Sequence, residues 1–289
     1  MKPTLHPTLA SRNCHERDQY IQFFEEDHKY VITNDPNNKY TSVTTWNHSH
    51  FPVFNANLII KNMMRGKNWK EGHKYWGLTA EEIKQQWSSN SSAVSGAGTD
   101  LHFEIECFMN NPDIESGFKG NKGYNHSDLH EAYLKDPKAK EVVEWDYFIN
   151  FVKDYPELKP YRTEWTIYDE DLKISGSIDM IYENPDGTLS IYDWKRSKEI
   201  TRVNNFNKFA INKLICHMPD ANFWHYALQL NTYKRIIERK YGKIVTDLYL
   251  VRLHPDAEEK NYELIKLPDL SKEIDELFEE RKQKLIVNS

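Results

Sequence analysis

Apolar and polar positions change period along the chain. Over Lys138–Asp154, the residues Val142, Trp145, Phe148, Ile149 and Val152 recur at helical spacing, which predicts an amphipathic helix. Three β-branched and aromatic runs follow, at Arg162–Tyr168, Lys173–Tyr182 and Thr188–Lys195, and these predict strands. Asn184-Pro185-Asp186-Gly187 joins the second to the third and is a strong hairpin signal. Ala221–Tyr241 predicts a helix that Gly242 stops, and Val245–Leu253 predicts a further strand. Ser271–Leu285 predicts a charged helix, a solvated face with a few buried positions. The core order is helix, three strands, helix, strand. The expected class is α/β (α+β), a central mixed sheet flanked by helices.

The first part of the chain reads as an addition to that core. Phe23–Thr33 and Tyr40–Thr45 predict two short strands around the turn-rich Asn34-Asp35-Pro36-Asn37-Asn38. Asn57–Arg65 has helical spacing, and Thr79 with Glu82 forms a capping box that opens a helix toward Trp87. Asn90–Gly98 is rich in Ser, Gly and Ala and predicts a loop, after which Thr99 caps a helix through Met109. Residues 111–135 are polar and predict an irregular surface excursion. The expected organisation is an N-terminal helical and hairpin extension over 1–95, packed on a core over 96–289.

Composition narrows the function classes. The chain has 289 residues, 39% hydrophobic and 28% charged, a soluble globular balance. A net charge of -6 excludes a whole-surface grip on nucleic acid, so any such grip needs a local basic patch. Met1–Arg12 has no apolar signal region, and no run reaches the roughly 18 apolar residues of a membrane span. The expectation is an intracellular protein with no membrane partner. The three cysteines, Cys14, Cys107 and Cys216, are far apart, against a disulfide framework or a four-cysteine zinc or iron–sulfur site.

The chemistry gathers at the hairpin. Pairing across a turn near Asp186 sets Asp179 roughly opposite Asp193. Alternation puts Asp193 and Lys195 on one face and Trp194 on the other. Opposed carboxylates repel, and a divalent cation between them reverses the sign. Lys195 beside them can orient a water or meet charge developing on phosphate. A lone Asp-x-Lys on a strand is more often ordinary surface charge. Three features shift that balance. Gly176 lies three residues before Asp179, as strand glycines do where another group approaches closely. His102 and Glu106 share a helix face, as do Gln229 and Tyr233.

The ordered set Gly98-Thr99-x-x-His102, Glu164, Gly176-x-x-Asp179, Asp193-Trp194-Lys195 and Gln229-Leu230-x-x-Tyr233 resembles the RecB-type branch of the PD-(D/E)XK nucleases over residues 96–255. The resemblance implies a restriction-endonuclease-like core in αβββαβ order. It implies a catalytic group of Asp179, Asp193, Lys195, Glu164, Gln229 and Tyr233. It also implies Mg2+ or Mn2+ held by His102, Asp179, Asp193 and the Trp194 backbone carbonyl, with Glu106 as a further acidic candidate. No proline precedes Asp179, and the cysteines that hold an iron–sulfur cluster in some relatives are absent. Tyr40-Thr41-Ser42-Val43-Thr44 is similar to a stretch in phage, viral and mitochondrial exonucleases of this kind, which implies that Ser42 and Thr44 contact DNA.

Downstream of the lysine, Arg196, Lys198, Arg202, Lys208 and Lys213 interleave with Phe206 and Phe209, a phosphate track with stacking side chains. The expected activity is metal-dependent hydrolysis of DNA, by an exonuclease in replication, recombination or repair. A structure-selective endonuclease on the same fold and a catalytically silent nucleic-acid-binding module are the alternatives.

Overall fold

The structure is a computed structural model and describes residues 8–24, 27, 29–110 and 143–287. The excursion expected over 111–135 lies outside the described residues. A four-residue helix α1 (Leu9–Arg12) leads into the hairpin β1 (Ile21–Phe24) and β2 (Lys29–Ile32). Two residues of β3 (Thr41–Ser42) precede helix α2 (Val43–His48) and helix α3 (Ala56–Arg65). Helix α4 (Ala80–Met109) and helix α5 (Val143–Asp154) come before the sheet strands β4 (Lys159–Asp169), β5 (Ile174–Glu183) and β6 (Leu189–Lys195). Helix α6 (Asn222–Lys240), strands β7 (Val245–Arg252) and β8 (Glu263–Lys266) and helix α7 (Ser271–Val287) complete the described chain.

The architecture is mixed α+β, a central mixed sheet between helices. β5 pairs antiparallel with β4 and β6, β6 pairs parallel with β7, and β7 pairs antiparallel with β8. The parallel β6–β7 step needs a crossover, and α6 supplies it. One face of the sheet packs Ile167, Ile191 and Leu250 against Leu228, Leu230 and Ile237 of α6 and Phe278 of α7. The other packs Met180, Tyr192 and Trp194 against Phe148 and Phe151 of α5 and Ile105 of α4. Among the described helices, none is long and apolar enough to cross a membrane.

The N-terminal segments depart from expectation in three places. The hairpin there is Ile21–Phe24 with Lys29–Ile32, not a pairing across Asn34–Asn38. Of Tyr40–Thr45 only Thr41 and Ser42 are strand, pairing parallel with Ile174 and Ser175, and Ser42 then caps α2, its hydroxyl accepting the Thr45 amide at 3.1 Å. Asn90–Gly98 is not a loop. Thr79 and Glu82 form the capping box as expected, but the helix they open runs unbroken through residues 95 and 96 to Met109. Thr99 is therefore no cap, and its hydroxyl donates to the Ser95 carbonyl one turn back. β8 is a short edge strand that the sequence pattern did not predict.

Candidate active site

β5 has two edges, and β4 occupies one from Ile174 to Glu183. The other edge is shared. β3 pairs with Ile174 and Ser175, and β6 pairs with Met180–Glu183. Gly176–Asp179 are left between them, and beyond Tyr192 β6 leaves β5 while staying paired to β7 through Lys195. The sheet forks there. Asp179 closes the fork with its side chain, Oδ2 accepting the Trp194 amide at 3.0 Å.

The registers align three carboxylates across the fork. Thr163 pairs with Met180 and Trp165 with Ile178, so Glu164 stands opposite Asp179. Asp193 is the next step past the Met180–Tyr192 pair, on the other side of Asp179. Glu164 has φ 45, a left-handed conformation uncommon for a residue with a Cβ. Alternation breaks at the same level: Ile178 packs on the α6 side and Met180 on the α5 side.

Like charges and burial set the proton affinities. Burial pushes Glu164 up to about 8, Asp179, Glu106 and Asp193 add to it, and the Ser177 hydroxyl bonded to Oε2 at 3.0 Å opposes it. Burial pushes Asp193 up to about 6, with Lys195 opposing and Asp179 adding. Lys195 Nζ stands 2.6 Å from Asp193 Oδ2 and 4.7 Å from the Tyr226 ring centre. Burial works against its charge, but Asp193 and Asp179 outweigh it and raise its pKa.

His102 reaches in from α4. Its Nε2 lies 2.9 Å from the Trp194 carbonyl, which can only accept, so Nε2 carries the proton. Nδ1 faces Asp179 Oδ2, 3.5 Å away. In the neutral ring Nδ1 offers a lone pair there, and a cation set between it and the carboxylate would be held by both. Ligand atoms of His102, Glu164 and Asp179 all lie within 4.8 Å of one another. Imidazole with carboxylate oxygens suits a divalent ion such as Mn2+ or Mg2+, so the residues present fit the expected metal.

The remaining expectations divide. Gln229 and Tyr233 lie on α6 beside the fork, Gln229 Nε2 donating to the Tyr233 hydroxyl at 3.2 Å. Glu106 is close enough to raise Glu164. The Trp194 carbonyl, expected as a metal ligand, is engaged by His102. Ser42 and Thr44 sit at the start of α2. Arg196, expected on the phosphate track, points to the other face and pairs with buried Glu144 at 2.6 Å. Lys198, Arg202, Phe206 and Lys208 are exposed, and the Arg202 guanidinium covers the Phe223 ring at 4.1 Å. Asn204 orders the Phe206 turn, its Oδ1 accepting the Phe206 amide at 2.8 Å.

Three neighbours of the site escaped the sequence reading. Tyr30 comes from the N-terminal hairpin, and burial, then the charges of Glu164 and Asp179, push its phenol up to about 12. Thr163 donates its hydroxyl to the Asp179 carbonyl at 2.9 Å. Ser177 holds Glu164. Ser177 lay inside the Gly-Ser-Ile-Asp motif, whereas nothing local marked Tyr30.

No protein-family model matches the chain, and no curated protein does. Among solved structures, a protein of Eubacterium rectale described as a "Putative exonuclease" matches at 14% identity and TM-score 0.40. The match covers 91% of this chain and 84% of that one.

Proposed function

We propose that this protein is a divalent-metal-dependent nuclease that hydrolyses DNA phosphodiester bonds, an exonuclease of the PD-(D/E)XK type acting in replication, recombination or repair. One observation carries the reading. Glu164, Asp179 and Asp193 stand abreast on three adjacent strands with Lys195 paired to the third, and two of the three acids hold their protons unusually tightly. A site of this kind is costly without a cation. The choice of DNA and of exonuclease action comes from the motif resemblance.

Glu164, Asp179 and His102 would hold the metal, with Asp193 beside them. When bound, the ion would polarise a phosphoryl oxygen and acidify a water. Lys195 supplies a fixed positive charge: Asp193 and the Tyr226 ring limit where its ammonium can go, so its hydrogens are positioned before substrate arrives. In hydrolysis the water oxygen bonds to phosphorus, the P–O bond to the leaving strand breaks, and that oxygen takes a proton. The exposed segment that carries Lys198, Arg202, Phe206 and Lys208 links Lys195 to α6, where it offers charge and an aromatic face to a strand.

The test is cleavage of end-labelled linear single- and double-stranded DNA, beside circular DNA, with Mg2+, Mn2+ or EDTA. Linear substrate is expected to be lost only with metal, and Lys195→Gln should lose about 100-fold or more of the rate while keeping its fold and its affinity for Mn2+. Full turnover in Asp193→Asn would overturn the assignment.

A further inference from the structure

A second site lies away from the fork, between the end of α2, the segment before α6, and α7. It is a cavity of about 670 Å³ whose wall includes Trp46, His50, Asn212, Lys213, Arg281 and Lys284. Lys213, Arg281 and Lys284 put three cations on it against the one carboxylate of Glu280, in a chain of net charge -6.

Two of these cations have no acid. Arg281 is part-buried and donates to three neutral oxygens, the carbonyls of Leu172 and Lys173 and the Thr41 hydroxyl. Among the described residues no carboxylate pairs with it or with Lys213, and burial alone lowers the Arg281 pKa. Glu280 is already taken, by Lys284 at 3.0 Å and by the Asn212 amide at 2.8 Å.

His50 also lines the cavity. The Asn212 side chain is fixed in orientation, since its Oδ1 accepts the Leu214 amide and its Nδ2 donates to Glu280. That same Nδ2 lies 3.2 Å from His50 Nδ1, so Nδ1 accepts and the ring proton sits on Nε2. His50 is 5% exposed, and its Nε2 has no partner among the described residues. Burial lowers its pKa to about 4 and keeps it neutral. A part-buried cation without a counterion costs free energy, and an oxyanion in the cavity would offset the Arg281 charge.

We infer that this cavity binds a phosphate monoester, with Lys213 and Arg281 meeting the charge and Trp46 and Ile211 flanking the organic part. A free nucleotide and the terminal phosphate of a nucleic-acid strand share that chemistry. The assignment does not rest on the nuclease reading.

Binding is measured by calorimetry on the full chain in EDTA, so that no turnover intervenes. The probes are inorganic phosphate, a nucleoside 5′-monophosphate, and a 5′-phosphorylated oligonucleotide beside its unphosphorylated twin. Saturable binding of a phosphorylated probe is expected, unchanged in Asp193→Asn. Lys213→Gln, an exposed change that leaves the fold alone, should weaken it about 10-fold or more. Arg281→Gln should do the same where its melting curve shows it folded. A preference for the free nucleotide would make this a small-molecule site. Preference for the phosphorylated oligonucleotide over its twin would make it a strand-end site. No saturable binding of any probe, or binding that Lys213→Gln leaves intact, overturns the inference whether or not the protein cleaves DNA.

Discussion

The ring of Tyr233 fills the volume that a side chain on residue 176 would need. A Cβ built on Gly176 would stand 2.7 Å from Tyr233 Cε1 and 3.1 Å from its hydroxyl oxygen. Gly176 opens the unpaired stretch of β5, so the bare backbone there lets α6 settle against the fork. The ring is 3% exposed and its hydroxyl is held by Gln229, so it has little room to withdraw.

Gly176→Ala is therefore expected to cost about 1–3 kcal/mol, the usual range for overpacking a filled site. Urea denaturation measures it. The displaced ring would also disturb Gln229, so cleavage should fall by more than the folded fraction does. A variant as stable as wild type would show that Tyr233 is not seated on this glycine.

The three abreast carboxylates make the metal-free protein sensitive to pH. Glu164 is raised to about 8 and Asp193 to about 6, against about 4 for unfolded chains. Between those values the folded state holds more protons than the unfolded state. Stability from these groups is thus complete below about pH 4 and is lost as pH rises through 6 and then 8. Denaturation in EDTA at pH 5.5 and 8.5 should show the lower stability at 8.5, and Glu164→Gln should flatten the upper part of the slope. Adding Mn2+ at pH 7 should release protons, readable as a buffer-dependent binding enthalpy. A metal-free protein that gains stability from pH 6 to 8 through these groups would contradict the arrangement.

Arg196 and Phe206 are expected to respond in opposite ways. Arg196 pairs with Glu144, which is 2% exposed, so Arg196→Ala leaves a buried carboxylate alone and should cost about 3–5 kcal/mol. Phe206 is 82% exposed, and Phe206→Ala should leave the melting temperature unchanged. On single-stranded DNA the order reverses, with Phe206→Ala costing about 1–3 kcal/mol of binding. A fluorescence titration beside a thermal melt of each variant decides it. A stable Arg196→Ala with weakened, less salt-sensitive binding would return this arginine to the phosphate track.

The hairpin and its acids were legible in the sequence because local rules govern them. Asn184–Gly187 fixes the turn, the turn fixes the register, and the register sets Asp179 beside Asp193. Glu164 entered only by resemblance, since nothing around it announces φ 45 or its place on the far side of Asp179. Tyr30 is brought to the site by tertiary packing alone. Arg196 turns to Glu144, and a run of charges in sequence does not show which face each one takes. The Ser42 segment misled because its β-branched run suits a strand, while the Ser42 hydroxyl caps a helix.

Asn90–Gly98 misled for a different reason, and the reason can be tested. Serines and glycines there favour a loop, yet the capping box at Thr79 starts the helix, and Leu101, Ile105 and Phe108 anchor its far end in the core. The stretch between is largely solvent-exposed, so end packing carries it against its own propensity. Cβ atoms added at Gly96 and Gly98 would meet nothing within 4 Å. Each Gly→Ala change should therefore stabilise the protein by about 0.5–1 kcal/mol and raise helicity by circular dichroism. Thr99→Ala gives the opposite control. Removing a helix cap costs about 1 kcal/mol, but a mid-helix threonine bonded to its own preceding turn should lose little or nothing. Gains at both glycines with a neutral Thr99→Ala match a continuous helix, and losses at all three would restore the loop.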